Sequence, residues 1–443
     1  MVSKKAKTID EIDAAVQYKV PVTPDNIFFT DLSKARGSFK ESRLLKSLKL
    51  NAKKPYRMVG DPENKKLIFL AGMYGSGKTS ELKRIAQEIE NPESYLCITC
   101  SLDTDLDMNN IDFVDILIFM AEGLLKRMEQ KKIRINTDII DSLNSWFTER
   151  IKETNRVAEH SAKIETEISA GASLLSLIKI IGSLKNAFAY NTSYAEKARV
   201  VFRDNFSDLK DKFNEFIGET VLKIQSKKIA KDILFIIDGI EKVQTAKLRE
   251  KIIKKDGLRI KAIKTNMLIT MPIELHHQVS NLRAIEPEII RFPFIKLMDK
   301  RTGEPITENI EILKEYVYKR VDKSLFENED LVKDIILTSG GSPRELLRII
   351  KTMGVELDPE ATVLNRQAFN DAVKYLGNLY ATGITQEEFD LINKVVNSKG
   401  EIPFSKTLQG LLSRVIIMEY NDGTYKKVNP IIEASAIYKK YVN

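Results

Sequence analysis

The chain has 443 residues, 43% of them hydrophobic and 30% charged, so it is long enough for two or three cores and is not a disordered polymer. The 70 Lys and Arg against 62 Asp and Glu leave a formal charge of +8. That balance admits nucleic acid, an anionic membrane or an acidic protein as partner and selects none of them. The opening Met-Val-Ser-Lys-Lys carries no apolar signal core, so the expected setting is a reducing cytoplasm.

Taken in order, residues 1–25 are a polar arm with Pro21 and Pro24, expected to pack late onto the core. Asn26 to Asp31 reads as a short strand. Lys40 to Leu50 reads as a helix with Leu44, Leu45 and Leu48 on one face. Residues 67–80 dominate the chain. The apolar run Leu67 to Leu70 predicts a buried parallel strand, and the residues after it fit G-x-x-x-x-G-K-[ST] through Gly72, Gly77, Lys78 and Thr79. Good helix formers follow from Glu81. Gly72, Gly75 and Gly77 let the backbone turn its N–H groups toward phosphate oxygens, and the helix N-terminus adds a positive dipole end. With Ser76 and Ser80 they make up a phosphate-binding loop, in which Lys78 reaches the β- and γ-phosphates and Thr79 ligates Mg²⁺.

Cys97 and Cys100 lie on the next strand. With no second cysteine pair and three histidines, their spacing argues against zinc. They read as two half-buried strand thiols, a redox pair being the alternative. Ile111 to Arg127 and Thr137 to Ile151 are amphipathic helices. The stretch Ile168 to Leu184 is apolar but carries Lys179 and is too short and interrupted for a membrane span. It reads as an insertion packed on the core, or as a subunit or partner surface. Tyr194 to Gln225 reads as one long helix.

Asp232 to Glu241 is the second landmark: an apolar strand ending in Asp238. An acid at the carboxyl end of a parallel strand faces the ligand crevice, which makes Asp238 the candidate for holding Mg²⁺. Glu241 is placed to polarise an attacking water, or else is a surface acid. Thr270 ends the strand Met267 to Met271, where it touches either a phosphate or nothing but its neighbours. A helix from Glu274 to Leu282 then ends in Arg283, a finger toward a neighbouring subunit's phosphate or a solvated arginine. His276 and His277 read as helix surface. Glu288 to Leu297 is the last core strand.

Residues 301–380 are helical. Ser342 caps a helix that opens with Pro343, and Arg344 is placed to reach the γ-phosphate, with plain helix-start chemistry as the alternative. From about residue 381, two helices and a hairpin around Asn421-Asp422-Gly423 describe a winged-helix-like module. Lys406, Arg414, Lys426 and Lys427 give it a basic face that suits DNA or solvent equally.

The order of these features resembles the AAA+ and STAND ATPases, both origin-recognition-type initiators and NACHT- and KAP-like bacterial ATPases. The resemblance spans roughly residues 26–443 and is weak over 152–230. It implies an α/β fold: a P-loop NTPase parallel sheet with helices on both faces (26–300), a helical lid (301–380) and a C-terminal winged-helix-like domain (381–443). It further implies ATP with Mg²⁺ as cofactors, Asp238 as the Walker B acid, Arg344 as the lid sensor and Pro343 beside the adenine. Gly239 stands where a catalytic Glu is usual, which implies slow hydrolysis. The expectation is a nucleotide switch acting through homo-oligomerisation or an effector protein, in a bacterial defence system. A DNA-binding initiator- or transposition-type ATPase is the alternative.

Overall fold

The computed structural model describes residues 4–442 except Ser38, Pro62, 158–172, Asn191, 279–281, Arg283 and Pro359. Its centre is a parallel sheet of β1 (Leu67–Gly72), β2 (Tyr95–Ser101), β3 (Asp232–Asp238), β4 (Asn266–Pro272) and β5 (Glu288–Arg291), in the order β2-β3-β4-β1-β5. Strands covered on both faces read as unbroken apolar runs, and β3 is buried along its whole length. β4 lies between the strand that feeds the glycine loop and the strand that ends in Asp238. Ile237 pairs with Ile269, so Asp238 and Thr270 emerge side by side at the carboxyl edge.

The helices follow in chain order. α1 (Ile12–Ala15) lies in the arm, α2 (Glu41–Ser47) precedes the sheet, and α3 (Lys78–Ile89) links β1 to β2. Between β2 and β3 run α4 (Leu102–Asp105), α5 (Phe113–Gln130), α6 (Thr137–Val157), α7 (Leu174–Tyr190), α8 (Thr192–Asp204) and α9 (Phe206–Ser226). α10 (Ala246–Glu250) and α11 (Gly257–Lys261) precede β4, and α12 (Ile273–His276) follows it. The lid region holds α13 (Thr307–Tyr318), α14 (Glu329–Thr338), α15 (Pro343–Glu356) and α16 (Arg366–Ala381). The C-terminal module contains α17 (Gln386–Asn397), α18 (Lys406–Ser413), the antiparallel strands β6 (Ile417–Tyr420) and β7 (Tyr425–Val428), α19 (Pro430–Glu433) and α20 (Ala436–Tyr441).

Three apolar cores hold these layers. Leu44, Leu45, Leu82 and Ile85 cover one face of the sheet through Ile68, Leu70, Leu234 and Leu268. The helices between β2 and β3 cover the other face through Phe69, Ile98, Phe235 and Ile269, and that core continues into Leu408, Leu411 and Ile417 of the C-terminal module. The third core joins the arm (Ala6, Ile12, Val16, Phe28) to the lid helices.

Several expectations need correction. Asn26 to Asp31 is turn and irregular chain, because the Asn26 side chain accepts from the Phe28 amide and its carbonyl from Phe29. The expected single helix over 194–225 breaks at Asn205. That side chain donates to the Val201 carbonyl at 2.8 Å and accepts from Arg150 at 2.8 Å. The last core strand stops at Arg291, and the segment to Leu297 is irregular. The helix expected to start at Glu274 spans Ile273–His276, and its expected continuation falls partly outside the described residues, as does Arg283. The same holds for the first part of the apolar stretch; its remainder is α7, which packs on α5 and so belongs to the main core. Cys97 and Cys100 are both fully buried and face opposite sides of the sheet, so they do not form a redox pair. No helix among the described residues is long and apolar enough to cross a membrane.

Trp146 is the chain's one tryptophan, and Phe202 packs edge-on against it at 5.2 Å while being fully buried. Phe202→Ala is expected to cost about 3–5 kcal/mol, read as a lowered denaturation midpoint in Trp146 fluorescence. A loss under about 1 kcal/mol would mean that these helices do not share the main core.

Candidate nucleotide site

The glycine loop runs from the end of β1 into α3. Gly75 has φ +82° and Gly77 φ +92°, the left-handed region that side chains avoid. Gly77 is the N-cap of α3, so the first-turn amides of that helix lack intrahelical partners, the arrangement that suits an anion. The loop borders a cavity of about 260 Å³. A side chain at Gly75 would also meet the lid: its Cβ would lie 3.1 Å from the Arg344 Cβ and 3.2 Å from the Ser342 hydroxyl.

Lys78 is buried, and its ammonium donates to the Gly72 and Met73 carbonyls, each at 3.0 Å. Its counter-ion is Glu241, whose Oε1 lies 3.1 Å away. Gly239, with φ +112°, makes the turn that brings Glu241 back toward the loop. Thr79 donates its hydroxyl to Asp238 Oδ2 at 2.7 Å. Thr270 accepts from the Gly239 amide at 2.9 Å and hydrogen-bonds the Glu241 carboxylate.

Burial and the neighbouring Glu241 push the Asp238 carboxyl up to about 6, against the pull of Lys242, Thr79 and Lys78. Burial also opposes charge on Glu241, but Lys78 and the Thr270 hydrogen bond outweigh it and hold its carboxyl below the usual range. Asp238 Oδ1 and Glu241 Oε2 are buried without a hydrogen-bond partner. Such orphaned oxygens next to an amide-lined glycine loop fit a Mg²⁺–nucleoside triphosphate. Thr79 and Asp238 would hold the cation, and the phosphates and water would supply most of its ligands.

The lid closes on the same loop. Ser342 accepts from the Glu345 amide as the N-cap of α15 and donates to the Gly75 carbonyl at 3.3 Å. Pro343 and Arg344 line the cavity, and the Arg344 guanidinium stacks on Tyr74 at 3.8 Å. Arg348 turns away, to the Tyr380 hydroxyl at 2.8 Å. Ser76 is buried with its hydroxyl unpartnered, and Ser80 accepts from the Val22 amide at 3.1 Å. Thus Gly72, Gly75, Gly77, Lys78, Thr79, Asp238, Glu241, Thr270, Pro343 and Arg344 converge on one crevice.

Sequence reasoning missed the arm and the back of the site. Tyr18, Val20, Pro21 and Val22 wall the cavity together with Phe28, Tyr316 and Arg320. The sequence signal was the apolar spacing Tyr18, Val20, Val22 inside a polar segment. His276 and His277 are not helix surface. Arg291 Nε donates to His276 Nε2 at 3.2 Å and its Nη2 lies 2.8 Å from His276 Nδ1, and His277 Nε2 lies 2.5 Å from Glu419 Oε2 of β6. The Glu419 amide reaches the sulfur of Met73, in the glycine loop, at 3.3 Å.

No family model matches the chain, and no curated protein matches it significantly. Among solved structures it is similar to the Walker-type ATPase PABY2304 of Pyrococcus abyssi, with a TM-score of 0.43 and 14% identity over 94% of this chain and 98% of that one.

Two outcomes follow from this geometry. Glu241→Gln leaves Lys78 without its anion in the crevice but keeps the cradle; it is expected to lower nucleotide hydrolysis by about 10²-fold while binding persists, measured by phosphate release and by titration. Unchanged turnover would leave Glu241 as a counter-ion alone. The second concerns pH. Burial, then Arg291 and His277, hold the His276 ring down at about 4, so it is neutral when folded. Burial opposes charge on Glu419 as well, but its hydrogen bond from His277 keeps it below the usual carboxylate range. Arg291, Asp422 and Lys426 face the same cluster. A base with a depressed pKa contributes stability that is complete above its unfolded pKa, near 6.5, and lost as pH falls toward 4. The loss between neutral pH and pH near 4.5 is on the order of 1–2 kcal/mol once solvent screening is allowed for. Thermal melts of wild type and His276→Gln isolate it: the variant's melting temperature should fall less on acidification, and parallel curves would exclude His276 as the cause.

Proposed function

We propose that this chain is an ATP-binding, slowly hydrolysing switch ATPase that converts nucleotide state into a change of the lid and C-terminal module, and through them into self-assembly or contact with an effector protein. The observation that carries this reading is that one loop touches both moving candidates. Gly75 is bonded to Ser342 of the lid, Met73 is bonded to Glu419 of β6, and the Tyr420 hydroxyl donates to Gly340, just before α15, at 2.6 Å. A ligand that reshapes the loop is felt at both places.

The chemistry of slow turnover has the same origin. Lys78 is the phosphate-binding cation, and Thr79 and Asp238 hold Mg²⁺, which neutralises charge on the phosphates when bound. Glu241 is the nearest acid able to orient a water, yet it is tied to Lys78. The residue beside Asp238 is Gly239, so no second acid stands directly at the strand end. Arg344 contributes its guanidinium from the lid, beside Tyr74. The role in bacterial defence rests on the family resemblance alone.

The DNA-binding reading has weaker support. Arg414 is paired with Glu388, and Lys426 is buried with its ammonium on the Gly423 carbonyl at 2.6 Å. Gln409 and Ser413 of α18 contact the core residues Gln278 and Arg249.

Size-exclusion chromatography with small-angle scattering tests the switch. Mg²⁺–ATP is expected to change the mass or shape of the wild type and to leave Lys78→Ala unchanged. Identical profiles with and without nucleotide would remove the switch reading.

A further inference from the structure

The cavity has an end that phosphate chemistry does not use. Besides the glycine loop and the start of α15, it is walled by Tyr18, Val20 and Val22 of the arm, by Phe28, and by Tyr316 and Arg320. Most of these are ring or aliphatic side chains, and one is a buried cation. Arg320 is 2% exposed. Its Nη1 donates to the Tyr316 carbonyl at 2.8 Å. The guanidinium carbon lies 3.9 Å from the centre of the Tyr316 ring and 5.3 Å from that of Phe28. Burial lowers its pKa, and only Tyr316 opposes that effect; no carboxylate among the described residues balances its charge.

The shape of this environment narrows what Arg320 can bind. The guanidinium carbon sits over the Tyr316 ring at 3.9 Å, and the N–H groups that do not bond the Tyr316 carbonyl are the donors it has left to offer a ligand. The phosphates already have Lys78, the loop amides and Arg344. Such donors beside apolar walls suit a flat heteroaromatic ring with nitrogen or oxygen acceptors on its rim. The arm is fastened to the same point: the Ala6 amide donates to the Arg320 carbonyl at 2.7 Å, the Asp322 amide to the Ala6 carbonyl at 2.9 Å, and the Val22 amide to Ser80 at 3.1 Å.

We propose that Arg320 is a specificity-determining residue that recognises the base of the nucleotide, donating to a rim acceptor of a ring seated against Tyr18, Val22 and Phe28. The proposal rests on the nucleotide reading of the glycine loop and adds the group that recognises the base.

The test compares Mg²⁺–ATP with inorganic tripolyphosphate, which keeps the phosphate chain and lacks the base, using the full-length chain and calorimetric titration. Wild type should bind ATP at least about tenfold more tightly than tripolyphosphate. Arg320→Gln should lose about ten- to a hundredfold in ATP affinity and keep its tripolyphosphate affinity. Equal losses for both ligands, or no loss for ATP, would overturn the proposal. Should Arg320→Gln melt early, Tyr18→Ala supplies the same comparison, since Tyr18 is half-buried at the cavity wall; the same selective loss is expected, and an equal loss for both ligands refutes base recognition. Wild type that binds ATP and tripolyphosphate equally refutes base reading alone. Wild type that binds neither refutes the nucleotide site itself, and the proposal with it.

Discussion

A lysine buried beneath a phosphate loop must have an anion, because an unpaired ammonium in a dry crevice is too costly to keep charged. Here Glu241 fills that requirement at 3.1 Å, and its position depends on two backbone facts. Asp238 ends a strand wholly inside the sheet, and Gly239 turns the chain with a φ of +112° that a side chain would strain. Any phosphate drawn to Lys78 therefore competes with Glu241. Occupancy of the loop and the conformation of the Ile240–Lys242 turn become one variable.

The strand order extends this constraint outward. With β4 between β1 and β3, Thr270 stands between the loop and the acid strand, accepting from Gly239 and bonding to Glu241. A shift of either acid is thus felt on β4. The lid adds a second closure, since Ser342 reaches the Gly75 carbonyl while capping its own helix. Gly75 lacks a side chain for two reasons at once: its left-handed φ, and the 3.1 Å that would separate a Cβ from Arg344. One residue sets both the turn of the loop and the docking of the lid.

What was legible in the sequence was what local chemistry determines. The glycine loop, the strand ending in Asp238, the Ser342 cap and the hairpin at Asn421 each depend on a few adjacent residues, and each stands where it was expected. What was not legible depends on distant partners. The break at Asn205 is stabilised by Arg150, which lies 55 positions away. His276 and His277 gain their surroundings from Arg291 and from Glu419 in a different module. The arm looked polar because most of it faces solvent, while its minority of apolar residues fills a wall contributed by the lid. Arg320 carried no signal at all, since a lone arginine at a helix end is ordinary until its rings and its missing carboxylate are seen.

The contact between the loop and the C-terminal hairpin is polar where an apolar one would have been more stabilising. Glu419 is buried between His277 and Arg291, with its amide on the Met73 sulfur. Buried charge pairs contribute little net stability because desolvation offsets their attraction, but a misplaced partner is heavily penalised. Such a cluster therefore specifies register more than it adds strength. Apolar packing elsewhere, through Leu408, Leu411 and Ile417, keeps the module attached. The polar cluster decides where the hairpin sits relative to Met73, and so ties the position of the module to the geometry of the glycine loop.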